Sequence, residues 1–188
     1  LREFHLKNKL HMLWGNHDMV LRKPKRVEKM LGSYFDPITS TTKDLLNGLT
    51  FDESIILEAE GCEKDILLIH GHQADFFNYV LWKWSRFLVQ FLWKPLQILG
   101  IKDPTSPAKN FKELLRVEKR LKKWIDNNNN QMVIAGHTHR PRFPEPNELP
   151  YFNDGSCVHP RSITGLEIVE MQISLIKWHT ISQKDGTL

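Results

Sequence analysis

The sequence predicts an α/β fold, and two observations indicate it. Short β-rich segments recur along the 188 residues, most of them bounded by turn-forming residues. The middle of the chain instead carries two stretches in which apolar residues recur with helical spacing. The length suits a single domain, and 40% hydrophobic with 26% charged residues is a globular composition. We therefore expect one domain over 1–188 that contains a helical cap insertion at 73–128.

The elements outside the insertion follow from local patterns. A buried strand at 9–14 ends in the turn Gly15-Asn16, and Pro24 suits the first turn of a helix that continues to about Leu31. Further strands are predicted at 54–60, 65–70, 131–135, 151–153, 163–169 and 173–178. The first two of these and the last two are expected to form hairpins.

The helical cap insertion is apolar and basic. Over 76–99 the polar residues form one narrow stripe on a helix and leave a wide apolar face, and a second amphipathic helix is expected over 108–125. The insertion carries eleven basic and five acidic residues. Its net charge, 11 − 5 = +6, therefore exceeds the +4 of the whole chain. Two interpretations of its apolar face stay open: the face covers the sheet, or it forms a lid over a ligand crevice.

Composition excludes several classes of protein. Two cysteines, Cys62 and Cys157, are too few for a disulfide framework and favour a cytoplasmic protein with reduced thiols. No apolar run reaches the 18 residues that indicate a membrane-spanning helix. Because there is neither a CxxC pair nor an arginine-rich arm, no nucleic-acid partner is expected.

Histidines cluster at the ends of three predicted strands. Gly15-Asn16-His17-Asp18 follows the first strand, His70-Gly71-His72 follows the strand at 65–70, and Gly136-His137-Thr138-His139 follows the strand at 131–135. Ligands of open α/β sheets gather outside the carboxyl ends of the strands, so we expect the three segments to share one crevice. Five of the nine histidines lie in these segments, and this repetition favours a binding site over isolated structural histidines.

The donor atoms of the three segments indicate a catalytic metal site. Imidazole suits Zn, Fe or Mn, whereas amide and carboxylate oxygens suit harder ions. A mixed nitrogen and oxygen ligand set without cysteine is typical of a catalytic site and not of a closed structural zinc site. Alternation along an extended chain would direct His137 and His139 to the same side, where they can bind neighbouring metals. Two metals about 3.5–4 Å apart are the usual arrangement for in-line attack on phosphorus.

The order of these motifs resembles the calcineurin-like metallophosphoesterase superfamily. The family pattern is DxH, GD, GNHD or GNHE, H and GHxH, and this chain matches the last three blocks over about 10–160. The resemblance implies a four-layer αββα sandwich with a dinuclear metal centre. It further implies a hydrolase in which two divalent metals, manganese, iron or zinc, activate a bridging hydroxide for attack on a phosphate ester.

The resemblance also implies roles in substrate binding and proton transfer. Asn16 is similar to the amide ligand of the second metal, which also contacts the phosphoryl group. His17 is similar to the histidine that contacts phosphate and protonates the leaving oxygen, and Asp18 would hold that catalytic loop. Arg140, Arg142 and Arg161 are candidates for phosphate contact.

The metal ligands implied by the resemblance are histidines. His70 is similar to the family's isolated ligand, and His72 is the less favoured alternative to it. His137 is similar to a ligand of the second metal and His139 to a ligand of the first. The block 153–161 resembles the strand and loop that follow in the family, in which Asn153 and Gly155 would shape the turn, and it receives no chemical role.

Two blocks of the family pattern, DxH and GD, do not precede Gly15. In the family they supply an Asp and a His to the first metal and the Asp that bridges both metals. We expect a complete protein to have a further strand-helix-strand unit of at least ~30 residues before Leu1. With His139 alone left for the first metal, we expect the 188-residue chain to bind metal substoichiometrically and to hydrolyse phosphoesters poorly.

The leading hypothesis is a metal-dependent phosphatase or phosphodiesterase acting on a phosphorylated substrate. A serine/threonine phosphatase is one form of this hypothesis, because GNHD is close to the corresponding block of those enzymes. In one alternative, HGH with GHTHRP is similar to hydrolases that cleave the pyrophosphate of UDP-diacylglucosamine. The 73–128 insertion would then contact a lipid-linked substrate or an anionic membrane surface, and the protein would be peripheral to the membrane. The other alternative is a non-catalytic scaffold with an incomplete metal site, whose contact surface is the basic helix at 109–123.

Overall fold

The computed structural model describes residues 1–58, 64–74, 111–158 and 162–181, and it confirms a mixed α/β architecture. The chain divides into two compact units, Leu1–Ile55 and Ile56–Leu188, and each has a buried apolar core. The predicted helix at 76–99 lies outside the described residues, so the extent of the 73–128 insertion stays a prediction.

The first unit combines two short helices with two small sheets. Its elements are α1 (Arg2–Leu6), β1 (Met12–Leu13), α2 (Pro24–Leu31), β2 (Ser33–Asp36), β3 (Thr41–Asp44) and β4 (Phe51–Asp52). β1 pairs in parallel with β4, while β2 and β3 form an antiparallel hairpin. α2 begins at Pro24 as predicted, because proline fits a first helical turn whose N–H groups have no helical partner. The patterns did not predict α1 or the β2–β3 hairpin, and the strand expected at 9–14 is reduced to β1.

The second unit is built on a four-stranded sheet. Its elements are β5 (Ser54–Leu57), which begins at the end of the first unit, β6 (Ile66–Ile69), a 3-10 helix (His72–Ala74), α3 (Phe111–Asn127), β7 (Met132–Ala135), β8 (Tyr151–Asn153), β9 (Ser162–Val169) and β10 (Gln172–His179). The strand order in the sheet is β5-β6-β7-β8, and β9 with β10 forms the predicted antiparallel hairpin.

α3 packs on the sheet through one face. Its buried residues recur with helical spacing, so that they form one stripe: Leu114, Val117, Leu121 and Ile125. This stripe joins Val133, Ala135 and Tyr151 of β7 and β8 in one apolar cluster. Burial of each large side chain stabilises the fold by roughly 1.5–3 kcal/mol relative to exposure. Phe111, Leu115 and Trp124, which the pattern included in the apolar face, lie off this stripe and are exposed.

Parallel pairing brings three strand ends to one edge of the sheet. Ile69 at the end of β6 pairs with Ala135 at the end of β7, and Ala135 in turn is level with Asn153 at the end of β8. The residues that follow each strand therefore leave the sheet side by side. Two of the three histidine motifs begin at this edge.

Asn153 ties the strand ends together. Its side chain is fully buried, and its amide nitrogen donates to the carbonyl of Gly136 at 2.8 Å and to the hydroxyl of Tyr151 at 3.2 Å. Its amide oxygen accepts a hydrogen bond from the N–H of Gly155 at 2.9 Å. Gly155 has φ +85°, and a Cβ there would collide with Thr164. Burial raises the pKa of Tyr151 to about 12, so its phenol stays neutral beside the amide.

Ile125→Ala should lower the free energy of unfolding by about 2–5 kcal/mol, because the smaller side chain leaves a cavity beneath α3. Ile125 is fully buried in the cluster of α3 with the sheet. Urea unfolding followed by circular dichroism measures the change. Lys123→Ala, at an exposed position of the same helix, is the control and should change stability by less than about 0.5 kcal/mol. Equal effects of the two substitutions would contradict the packing of α3.

Asn153→Ala should lower the free energy of unfolding by about 1–3 kcal/mol, because the carbonyl of Gly136 and the N–H of Gly155 lose a buried partner. The matched control is Asn128→Ala, since that amide donates to the carbonyl of Trp124 at 2.7 Å in an exposed position. We expect the control to cost less than about 0.5 kcal/mol in the same urea titration. An Asn153 variant as stable as the control would refute the bridging role.

Candidate functional site

His70 and His137 lie in contact at the carboxyl edge of the sheet. Their ring centroids are 5.3 Å apart, and the N–H of Gly136 donates to the carbonyl of His70 at 3.1 Å. Gly71 has φ +99°, and a Cβ on it would lie 3.2 Å from the carbonyl oxygen of Gly136 and 3.3 Å from the Cβ of His137. Glycine thus allows both the turn and the close approach of the two loops. The second and third histidine motifs therefore lie in contact at this edge of the sheet.

The GHTH motif is held in an uncommon backbone conformation. His137 has φ +69°, and the N–H of Thr138 donates to the carbonyl of Gly136 at 2.8 Å, which closes a three-residue turn around His137. His139 also has a positive φ of 57°. Such conformations cost on the order of 1–3 kcal/mol for a residue other than glycine and are concentrated at functional sites. This strain, together with the burial of His137, favours a functional role for the motif.

His72 lies against His70 and is fully buried. The Nδ1 atoms of the two rings are 3.2 Å apart, a hydrogen-bond distance, and the ring centroids are 5.1 Å apart. The centroid of His72 is 6.4 Å from that of His137. From its position two residues beyond the strand-end His70, His72 was predicted only as the less favoured alternative ligand, and its contact with His70 was not predicted.

His139 is half-buried and approaches Ser156. Its Nδ1 lies 3.5 Å from the hydroxyl oxygen of Ser156, at the long limit of a hydrogen bond, and that oxygen also accepts the N–H of Val158 at 3.2 Å. The sequence assigned no chemistry to Ser156 or to Asn153. The only available signal was their position, since Asn153 ends β8, a strand parallel to β7, and Ser156 follows it three residues later.

The GNHD motif belongs to the first unit, Leu1–Ile55. It follows β1 and forms a turn in which the N–H of Asp18 donates to the carbonyl of Gly15 at 3.0 Å. Asn16 is half-buried, while His17 and Asp18 are exposed. The two histidine motifs of the second unit are in contact with each other, whereas convergence of GNHD with them stays a prediction.

Arg140 follows the GHTH motif and stacks over Phe111. Its guanidinium carbon lies 5.5 Å from the centroid of that ring, within the range of a cation–π contact. A cavity of about 180 Å³ opens here between α3 and the chain after β7, and its lining includes Thr138, Arg140 and Tyr151 together with Leu114 and Leu115. The nearby Arg142 is paired with Glu148 through nitrogen–oxygen distances of 2.6 and 2.8 Å, so Arg140 is the better candidate for contact with an anionic ligand.

The imidazole pair fits a divalent metal. Two imidazoles bound to one ion through nitrogen–metal bonds of about 2.1 Å have ring centres roughly 5 Å apart, close to the observed 5.3 Å for His70 and His137. Within the described ranges, no group of three or more His, Cys, Asp or Glu residues is arranged to hold a metal. A metal site built on this pair would therefore need another donor. The predicted third ligand, Asn16, supplies an amide oxygen and lies in the first unit.

The exposed side of α3 bears on the predicted membrane contact. In the part of the chain that the structure describes, no helix has both the length and the apolar character to cross a membrane. α3 exposes Phe111, Leu115 and Trp124 among basic residues such as Lys112 and Lys119. Contact of the 73–128 insertion with an anionic membrane surface stays a prediction, because 75–110 lies outside the described residues.

Comparison with known proteins identifies the family. No curated protein sequence matches the chain significantly. The structure of vacuolar protein sorting 29 from Cryptosporidium parvum matches with 17% sequence identity and a TM-score of 0.36, over 96% of this chain and 77% of that one; this likeness is too remote to inform the fold. The sequence model of the calcineurin-like phosphoesterases matches residues 1–141, which include GNHD, HGH and GHTH. Because that match covers three quarters of the 188 residues, the chain belongs to the calcineurin-like phosphoesterase family.

Proposed function

We propose that this protein is a metal-dependent phosphoesterase in which His70 and His137 hold one divalent ion. The observation that carries the proposal is the contact between these two imidazoles, with ring centroids 5.3 Å apart at the carboxyl edge of a parallel sheet. Membership of the calcineurin-like phosphoesterases supports hydrolysis of a phosphoester bond by such a site. Manganese, iron and zinc all suit a set of imidazole and amide ligands.

The residues of this chain divide into ligands and groups that act on the substrate. Asn16 stays a predicted ligand from the first unit, and His139 is proposed to hold a second ion weakly through its own imidazole. A divalent ion bound by such ligands lowers the pKa of water and stabilises the charge of a phosphoryl group. This chemistry leaves the protein to orient the ester and to supply a proton to its leaving oxygen.

His17 is proposed as the proton donor. Its side chain is exposed, as a group that meets an incoming substrate must be, and imidazole is well suited to give a proton near neutral pH. Asp18 is proposed to hold the GNHD loop. The turn there is closed by the backbone N–H of Asp18 and the carbonyl of Gly15, so the role of the carboxylate rests on the family resemblance.

Arg140 is proposed to contact the phosphoryl group or the group esterified to it. The cation–π contact with Phe111 restrains its guanidinium at the cavity beside GHTH, and guanidinium is the side chain best matched to phosphate oxygens. The apolar lining of the cavity by Leu114 and Leu115 favours an ester whose organic part is partly apolar. This feature is compatible with an aryl phosphate as a test substrate.

The direct test is hydrolysis of an aryl phosphate by the chain after chelation and after addition of Mn²⁺ or Zn²⁺. We expect no turnover without metal, slow turnover with metal, and fewer than two ions bound per chain, because His139 is the only residue assigned to one of the two ions. His137→Ala should abolish the restored activity, whereas the control His179→Ala, at an exposed position of β10, should retain it. If elemental analysis shows metal bound but no phosphoester is hydrolysed, the scaffold alternative replaces the enzyme.

His17→Ala should lower kcat by about 10²–10⁴-fold, the usual contribution of a general acid, while the bound metal changes little. The matched control is His11→Ala, another exposed histidine of the first unit that lies outside the motif. Steady-state kinetics across pH and metal analysis on the same samples separate the two effects. Loss of metal in step with loss of kcat would make His17 a ligand or a structural residue and exclude it as the proton donor.

A further inference from the structure

We propose that the outer face of α3 binds an anionic lipid surface. Exposed basic residues recur along this helix at spacings of four, three and four residues, and we call them the basic stripe: Lys112, Arg116, Lys119 and Lys123. These spacings place the four side chains within roughly 60° of one another around the helix axis and distribute them over about 16 Å along it.

The basic stripe lies opposite the face through which α3 packs on the sheet. The buried residues of α3 that join the apolar cluster are Val117, Leu121 and Ile125, and the four basic residues lie about half a turn away from them around the helix. Burial of the apolar side therefore fixes the direction in which the basic side faces. A flat anionic surface can meet all four cations at once without any change in the packing of α3.

Acidic residues offset only part of this charge, since α3 contains six basic and three acidic residues. Glu118 pairs with Lys122, outside the basic stripe, and Glu113 pairs with Arg116. An exposed ion pair of the second kind is weak in water, so Arg116 can exchange it for an anionic partner. Asp126, exposed near the last turn, is the acidic residue of α3 nearest to the line of the basic stripe.

Apolar residues beside the basic stripe favour a lipid surface over a nucleic acid. Leu115 is exposed next to the basic stripe, and Phe111 is exposed at the N-terminal end of the same helix. Helices that bind anionic membranes combine Lys and Arg with Leu, Phe or Trp in this way. The sequence before α3 also contains Trp82, Trp84 and Trp93, and tryptophan is enriched at the boundary between lipid and water.

The test is co-sedimentation of the full chain with lipid vesicles. We expect binding to vesicles in which about a third of the lipid is phosphatidylserine, because each Lys or Arg near such a surface adds attraction. Vesicles of phosphatidylcholine alone should bind little protein. Binding to the anionic vesicles should fall steeply as NaCl is raised, because salt screens exposed charges.

A variant without the basic stripe supplies the second readout. Lys112→Gln, Arg116→Gln, Lys119→Gln and Lys123→Gln together should weaken binding to the anionic vesicles by roughly 100-fold or more, since each cation contributes about fivefold. The matched control removes the same charge from exposed positions of the first unit: Lys7→Gln, Lys9→Gln, Lys25→Gln and Lys29→Gln. It should bind nearly as tightly as the wild type.

Circular dichroism establishes that both variants are folded. If the fourfold variant does not fold, Lys119→Gln with Lys123→Gln replaces it, and we expect this pair to weaken binding about 25-fold.

Four results would overturn the proposal. They are no binding to anionic vesicles, equal binding to neutral and anionic vesicles, equal losses in the variant and its control, or tighter binding to a DNA or RNA duplex than to anionic vesicles, which would make a nucleic acid the partner. Vesicle binding is measured without metal or phosphoester, so this proposal and the proposed function can fail independently.

Discussion

The parallel pairing of β6, β7 and β8 is the constraint on which the candidate site depends. Strands that run in the same direction and in the observed register must end side by side, so the segments that follow them leave the sheet at one edge. His70 and His137 meet there although 66 residues separate them in the sequence. α3 covers the same sheet and stabilises this pairing through its buried stripe. The chemistry at the edge therefore depends on the packing beneath it.

The loops at this edge are held by a small set of polar contacts. The carbonyl of Gly136 accepts hydrogen bonds from Thr138 and from the buried amide of Asn153. These bonds stabilise a turn whose positive φ at His137 would otherwise be unfavourable. The hydrogen bond between His70 and His72 restrains the neighbouring loop. Rigid support of this kind would lower the cost of orienting the two imidazoles toward the proposed ion.

Local sequence patterns predicted the elements that have strong periodicity or a distinctive terminal residue. α2 begins at Pro24, α3 follows its helical stripe, and β9–β10 is the expected hairpin. α1 and the β2–β3 hairpin were missed because their residues are mostly exposed and show no apolar alternation. In such segments, contacts elsewhere in the unit decide the structure more than local pattern does.

The candidate site also combines features that local sequence patterns predict with features that depend on distant contacts. Strand-end placement predicted that His70 and His137 would meet, because parallel topology alone is enough to bring them together. It did not predict the contact of His72 with His70, since that depends on the rotation of a 3-10 helix. The resemblance implied that Asn153 and Gly155 shape a turn, and the hydrogen bond between them agrees with this. The bond from Asn153 to Gly136 and the approach of Ser156 to His139 were not predicted, because each reaches a distant loop. Residues that support ligands are less visible in sequence than the ligands themselves.

The central claim is that His70 and His137 bind the same ion. A crystal structure of the chain grown with Mn²⁺ or Zn²⁺, with anomalous difference maps to locate the metal, tests it most directly. The account predicts a peak about 2.0–2.3 Å from a ring nitrogen of each histidine. A metal bound elsewhere, or held by only one of the two imidazoles, would contradict it.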